Sequence, residues 1–188
     1  MKRIPVIGFV CMVLPWLVAC GQPSWDVEFG EFRMTASLSE HDCDPEIAVD
    51  EEDFSFSVRL GADLDDGPAW LSLTYDTGVV PGPPRQGTVE DGNMVFVATE
   101  QGHSEDCECL VVIHETITFM LHEEPDEPEN DDEVDSEPPL EGLPHPDRVI
   151  SVDGTIRNEI VDETGNCPEP GDGGCSLPCE VVYEMTSE

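Results

Sequence analysis

Four side chains lying close together, His103, Cys107, Cys109 and His114, carry the donor atoms of a soft metal site. Imidazole nitrogen and thiolate sulfur suit zinc or copper, provided the thiols are free. A second set, Asp63, Asp65 and Asp66, offers hard oxygen ligands in the turn Gly-Ala-Asp-Leu-Asp-Asp-Gly-Pro. That spacing is one residue short of the Asp-x-Asp-x-Asp-Gly core of a calcium loop, and no glutamate stands at the bidentate position. A solvated turn is expected there, and no metal ligand is assigned. Catalytic patterns are missing. The serines form no Gly-x-Ser-x-Gly turn, and the five histidines form no His-Glu-x-x-His pair. Carboxylates are so abundant that a catalytic pair among them carries no information. A protein without catalytic activity and without a cofactor is expected.

Whether the cysteines bind metal or each other depends on the compartment, and the N-terminus speaks to that. Lys2 and Arg3 precede an uncharged apolar run, residues 4–18, of the length of a secretory core and short for a membrane-spanning helix. Leu17-Val18-Ala19-Cys20 closes it. This tetrapeptide resembles the lipobox of bacterial lipoproteins. The resemblance implies cleavage before Cys20 and a thioether-linked diacylglycerol on its sulfur, usually with a further acyl chain on the new amino group. A thiol is the side chain nucleophilic enough near neutral pH to take the lipid. Two or more chains hold a protein on a membrane, whereas one binds only marginally. The alternative is an ordinary secreted protein cut at the same bond. The expected organisation is a signal peptide at 1–19, a lipidated tether at 20–24 and one domain at 25–188. Gly21 in place of aspartate after the cysteine points to the outer rather than the inner membrane by analogy with enteric bacteria, if the source is diderm.

In an exported chain, the six remaining cysteines, Cys43, Cys107, Cys109, Cys167, Cys175 and Cys179, read as three disulfides with 15 possible connectivities. The last three sit in a Gly/Pro-rich tail with little apolar surface to order it. One bridge local to that tail is expected, the others joining it or Cys43 to the Cys107/Cys109 pair. Cys107 and Cys109 are too close along an extended chain to bond each other without strain.

Residues 20–188 keep all 43 acidic residues against five arginines and no lysine, a formal charge of −38. Such a chain repels polyphosphate and anionic headgroups, which excludes nucleic acid as a partner and leaves cations or a basic protein. Without lysine there is no Schiff-base or general-base amine. The simplest reading of the acidity is solubility in a salty or divalent-rich medium.

The elements that must position these residues are strands. Phe54, Phe56, Val58 and Leu60 alternate with polar residues, as do Phe32, Met34, Ala36 and Leu38, and again Leu71, Leu73 and Tyr75. Asp91-Gly92 between two strand-like runs predicts a two-residue hairpin turn. Residues 94–99 and 110–113 are more continuously apolar, which predicts strands covered on both sides. Ile117, Phe119 and Leu121 continue that strand or begin another after a bend near His114. Residues 149–160, with a bulge or bend at Gly154, and 180–185 complete the set. Trp70 is expected in the core. Eight or nine short strands without helical periodicity give a disulfide-stabilised antiparallel all-β domain, either a two-sheet sandwich or an up-and-down barrel. Residues 123–141 interrupt it with 11 acidic residues, four prolines and no basic residue in 19 positions, a composition that predicts a disordered loop within one domain.

The acidic strands, the Cys-rich tail and the run Leu177-Pro-Cys-Glu-Val-Val-Tyr183 are similar to short uncharacterised lipoproteins of gliding, predatory bacteria, from which no functional residue carries over. Two functional readings follow. The first is a structural or interaction protein of the cell envelope, tied to the membrane through Cys20. The second is a lipocalin-like module, which would need a cavity inside a barrel. Nothing in the sequence fixes an oligomeric state.

Overall fold

Alternating patterns become eight strands, each hydrogen-bonded to the next, in a computed structural model that describes residues 26–44, 52–63, 69–75, 84–104, 107, 109–124, 142–163, 165, 167 and 175–188. They are β1 (Val27–His41), β2 (Phe54–Ala62), β3 (Ala69–Tyr75), β4 (Arg85–Glu90), β5 (Asn93–Ser104), β6 (Cys109–Glu123), β7 (Val149–Val161) and β8 (Cys179–Ser187). All neighbours are antiparallel, and β8 pairs back onto β1 from Met34↔Ser187 to His41↔Val181. The result is a closed up-and-down barrel. Closure settles the choice against a sandwich and leaves no edge strand among the eight.

An even number of strands gives the barrel two unlike rims. At the terminal rim β1 begins, β8 ends, and the connection from β6 to β7 crosses. The cysteine rim holds the β1–β2, β3–β4, β5–β6 and β7–β8 connections and all three disulfides.

Inside, the middle and the terminal-rim half are filled. Phe56, Phe96, Phe119, Met34, Leu60, Leu71 and Ile117 are all within 2% of full burial, with Phe96 and Phe119 edge to face at 6.1 Å. Tight packing is enforced by two glycines. A side chain at Gly87 would run into the Phe96 ring and the Val95 carbonyl, and one at Gly154 into the Thr118 carbonyl. The barrel wall therefore closes over its contents where a β-carbon would hold it apart.

Several local expectations need correction. Val97 is 66% exposed and Val95 half-buried, so β5 is covered on its inner face alone. A closed barrel has one inside, and nothing in the described residues packs over the outer face here. β6 runs through His114 and Glu115 without a bend, its register with β5 unbroken from Cys109 to Met120. Gly154 likewise lies in an unbroken ladder. The irregularity of β7 falls at Ile150, opposite the His122/Glu123 step. A further bulge, at Phe29 between Glu28 and Gly30, moves the inward positions of β1 from Val27 and Phe29 to Met34 and Ala36, with Gly30 at φ 128° accommodating the kink. Trp70 is on the outer face, between the buried Ala69 and Leu71, and its indole N–H donates to Asp63 Oδ2 at 3.0 Å. The Asp91-Gly92 turn has both residues at positive φ, 49° and 79°, as a tight two-residue hairpin requires.

Candidate functional site

Toward the cysteine rim a polar layer interrupts the apolar lining, with a second buried cluster, Cys107, Cys109, Val111 and Cys175, beyond it at the rim. Arg85 opens β4 directly opposite the inward Leu71 of β3. Glu115 stands on the inward row of β6 with Ile117 and Phe119, and Asn158 on that of β7 with Val152 and Ile156. Glu115 is the direct cross-strand partner of Asn158 on one side and of Ala98 on the other. Asn158 in turn faces Val181 of β8. Strand parity alone thus drives three polar side chains into an apolar interior.

Within this layer Arg85 Nη1 donates to Glu115 Oε1, reaching from β4 to β6 across β5. On β5 the inward residue at that level is Ala98, whose short side chain leaves the path open. Both partners are mostly shielded, with side chains 31% and 20% exposed. Asn158 Oδ1 is sealed from solvent and has no hydrogen-bond partner among the described residues. An orphaned buried acceptor costs on the order of 1–3 kcal/mol, and most such groups in folded proteins find a donor. The layer brings together a guanidinium, a carboxylate and an amide, all of them hydrogen-bonding groups.

Three further arginines are engaged on the outside. Arg59 meets Glu28 through two hydrogen bonds, 2.6 and 2.7 Å, Arg33 lies 3.4 Å from Glu188, and Arg157 bonds Glu180. The bonds from Arg59 hold the Glu28 carboxyl below its usual range, and the same bonds raise the Arg59 guanidinium. Pairing Arg33, Arg59 and Arg157 in this way leaves the acidic residues to set the field of the surface.

The cysteines pair as Cys43–Cys179, Cys107–Cys175 and Cys109–Cys167. No bridge is internal to the tail, which corrects the expected local tie: each tail cysteine reaches a different distant partner. Two of them meet the Cys107/Cys109 hairpin and one reaches the end of β1. The tail is fixed between its bridges by carboxylates. Asp162 accepts from the backbone N–H groups of Gly165 and Cys167 at 2.8 and 2.9 Å, and Asp44 from that of Ser176 at 2.6 Å, which lowers the Asp44 carboxyl.

The soft-metal grouping does not assemble. Cys107 and Cys109 are spent in separate disulfides, His103 is exposed, and His114 bonds Thr99 Oγ1 at 3.2 Å and lies 3.5 Å from Glu163 on the outer face. Asp42, Cys43 and Cys179 converge, but both sulfurs belong to one disulfide and Asp42 accepts from the Glu180 N–H. Of the acidic turn, Asp63 accepts from Trp70, while Asp65 and Asp66 lie outside the described residues. Residues 1–25, including Cys20 and the lipobox, also lie outside them, as does the acidic segment from 125 to 141. Comparison with known proteins finds no matching family model, no matching curated protein and no matching solved structure.

Proposed function

We propose that this chain is a lipid-anchored, extracytoplasmic, non-catalytic lipoprotein of the cell envelope that acts as a structural or interaction protein and carries its cysteine rim away from the membrane. The observation that carries the reading is the set of three disulfides at one rim, since such bonds persist in oxidising compartments and are rare in reducing ones. The lipobox-like Leu17-Val18-Ala19-Cys20 supplies the anchor. From Cys20 to the first residue of β1, Val27, an extended chain spans at most about 25 Å. Since β1 begins at the terminal rim, that short reach keeps the terminal rim near the bilayer and turns the disulfide-tied loops outward.

A filled core favours this role over a ligand held at the barrel centre, as in lipocalin-like folds. Such a ligand would have to displace Phe56, Phe96 and Phe119, each 1% exposed or less. With Arg33, Arg59 and Arg157 already engaged, the outward surface suits a basic protein or divalent cations, in either case with an affinity that falls as salt rises.

Fractionation of a Cys20→Ala variant is the test. The wild type should appear as mature protein extracted by detergent, and the variant as soluble protein or uncleaved precursor. A variant that still fractionates as mature, membrane-bound protein would refute the anchor and, with it, the outward orientation.

A further inference from the structure

We infer that the exposed edge of β5 from Thr99 to His103 is a docking site, where a basic, extended segment of another protein adds as an antiparallel strand. Every strand of the barrel has two neighbours, but they differ in length. β4 has six residues and β5 has 12, and the ladder between them ends at Thr88↔Val95. Before Thr88, β4 pairs with β3 instead, through Gly87, Gln86 and Arg85. Directly upstream stands Pro83-Pro84. Successive backbone groups of a strand point to opposite edges, so adjacent prolines withhold an N–H from both neighbours, and β4 cannot lengthen to cover the rest of β5. β5 nevertheless runs on to Ser104, paired with β6 all the way.

The hairpin turn sets which backbone groups are left over. In a two-residue turn the flanking residues, Glu90 and Asn93, exchange both hydrogen bonds, and along the strand the bonding side then alternates. Asn93 and Val95 therefore bond toward β4, and Met94 and each second residue after it toward β6. By the same parity Thr99, Gln101 and His103 turn their N–H and C=O groups to the side that β4 does not reach. No backbone hydrogen bond joins them there to any described residue. All the residues from Thr99 to His103 are exposed, so three donors and three acceptors stand in a row about 14 Å long, a template for strand addition.

Charge decides the occupant. A second copy would bring Glu100, and the Glu105, Asp106 and Glu108 that follow it in sequence, against their own kind in a chain of net charge −36. Arg85, at the start of β4, is already bonded to Glu115. A basic segment instead sets lysine or arginine opposite Glu100, and an apolar residue on the outer face beside Val97, which is 66% exposed. Around Gly102 an added β-carbon would meet nothing within 4 Å, which leaves room for a second long basic side chain. The site deepens, and rests on, the interaction role proposed above. Its test uses neither the lipid on Cys20 nor a membrane, so the site and the anchor fail separately.

Chemical-shift titration of the detergent-solubilised full chain with the end-capped peptide Thr-Lys-Thr-Lys-Val tests it. The comparison peptide has the same side chains and charge but is N-methylated at its third and fourth residues, which blocks strand pairing along both of its edges. The expected result is saturable shifts with the plain peptide alone, largest at the N–H groups of Thr99, Gln101 and His103 and small at Glu100 and Gly102 between them. Gln101→Pro deletes an edge N–H and no bond to β6, and should weaken binding at least about 5-fold, as loss of one hydrogen bond implies. Glu100→Lys leaves the backbone intact and should weaken it as well. Equal binding of the two peptides, no saturable shift, shifts without the alternation, or full binding in either folded variant would overturn the site. So would a dimeric free protein whose Thr99 and Gln101 N–H groups are already protected from exchange, since a second copy would then hold the edge. If neither variant folds, the wild-type comparison of the two peptides decides.

Discussion

Cys43 and Cys179 are 136 positions apart in sequence and 4.9 Å apart at their Cα atoms, and their bond joins the first strand to the last just beyond the end of the β1–β8 ladder. Of the three bridges, this one spans the longest stretch of chain. Replacing both cysteines by alanine should lower the unfolding free energy by about 2–5 kcal/mol, the range for a native bridge in a small exported domain. Urea titration of the double variant measures it. A loss well under about 1 kcal/mol would mean that the β1–β8 ladder holds the barrel shut by itself.

Two glycines on the strands give opposite expectations. Gly154→Ala sets a methyl group against the Thr118 carbonyl and the Met185 side chain, and overpacking of that kind costs about 1–3 kcal/mol. At Gly102 an added methyl meets nothing within 4 Å, so Gly102→Ala should be neutral or stabilise by up to about 1 kcal/mol. Thermal unfolding of the pair distinguishes close approach from a general dislike of substitution.

Adjacent residues on β5 test the inside and outside of the barrel. Phe96→Ala should cost about 3–5 kcal/mol through the cavity it leaves among buried rings. Val97→Ser, at a position 66% exposed, should stay within about 0.5 kcal/mol of wild type. Comparable losses at both sites would mean that something covers the outer face of β5.

Acid should weaken the Glu28–Arg59 pair in a definite direction. Because the folded carboxyl titrates below its ordinary value of 4.5, the contribution is complete above that value and is lost as pH falls through the lowered one. The pair is substantially exposed, with the Arg59 and Glu28 side chains 34% and 45% accessible, so its worth is about 0.2–1 kcal/mol. Urea midpoints of wild type and Glu28→Gln should therefore differ near neutral pH and converge as pH falls through the lowered value. A gap that widens in acid would contradict the assignment.

Strand positions were legible because one-sided burial writes itself as period two, plainly in Phe56, Val58 and Leu60 and in Met34 and Ala36. Closure was not legible, since a sandwich and a barrel impose the same alternation and differ in which strands meet last. The disulfide pairs were hidden for a related reason. Cys167, Cys175 and Cys179 are neighbours in sequence, but their partners are set by which strand ends share a rim. Exposed apolar positions such as Val97 misled because burial on both faces and a hydrophobic outer wall look alike in a short run. The inner polar layer left a signal that went unread. Glu115 shares parity with Ile117 and Phe119, and Asn158 with Val152 and Ile156, so each is a polar residue on an apolar row. Arg85, directly after Pro83-Pro84, gave no such sign, because its strand is too short to reveal a pattern.

The seam between β1 and β8 also has a mechanical direction. β1 begins and β8 ends at the terminal rim, where the seam's outermost pair is Met34 with Ser187, and its last pair before the cysteines is His41 with Val181. A pull applied between the start of β1 and the end of β8 loads this seam as a zipper, one ladder bond after another, starting from the outermost pair. The tear then meets the Cys43–Cys179 bond and stops, with the remaining seven seams still closed. Under tension the barrel would lengthen by one opened seam and hold, whereas after reduction the same pull would strip β8 away and go on through the wall.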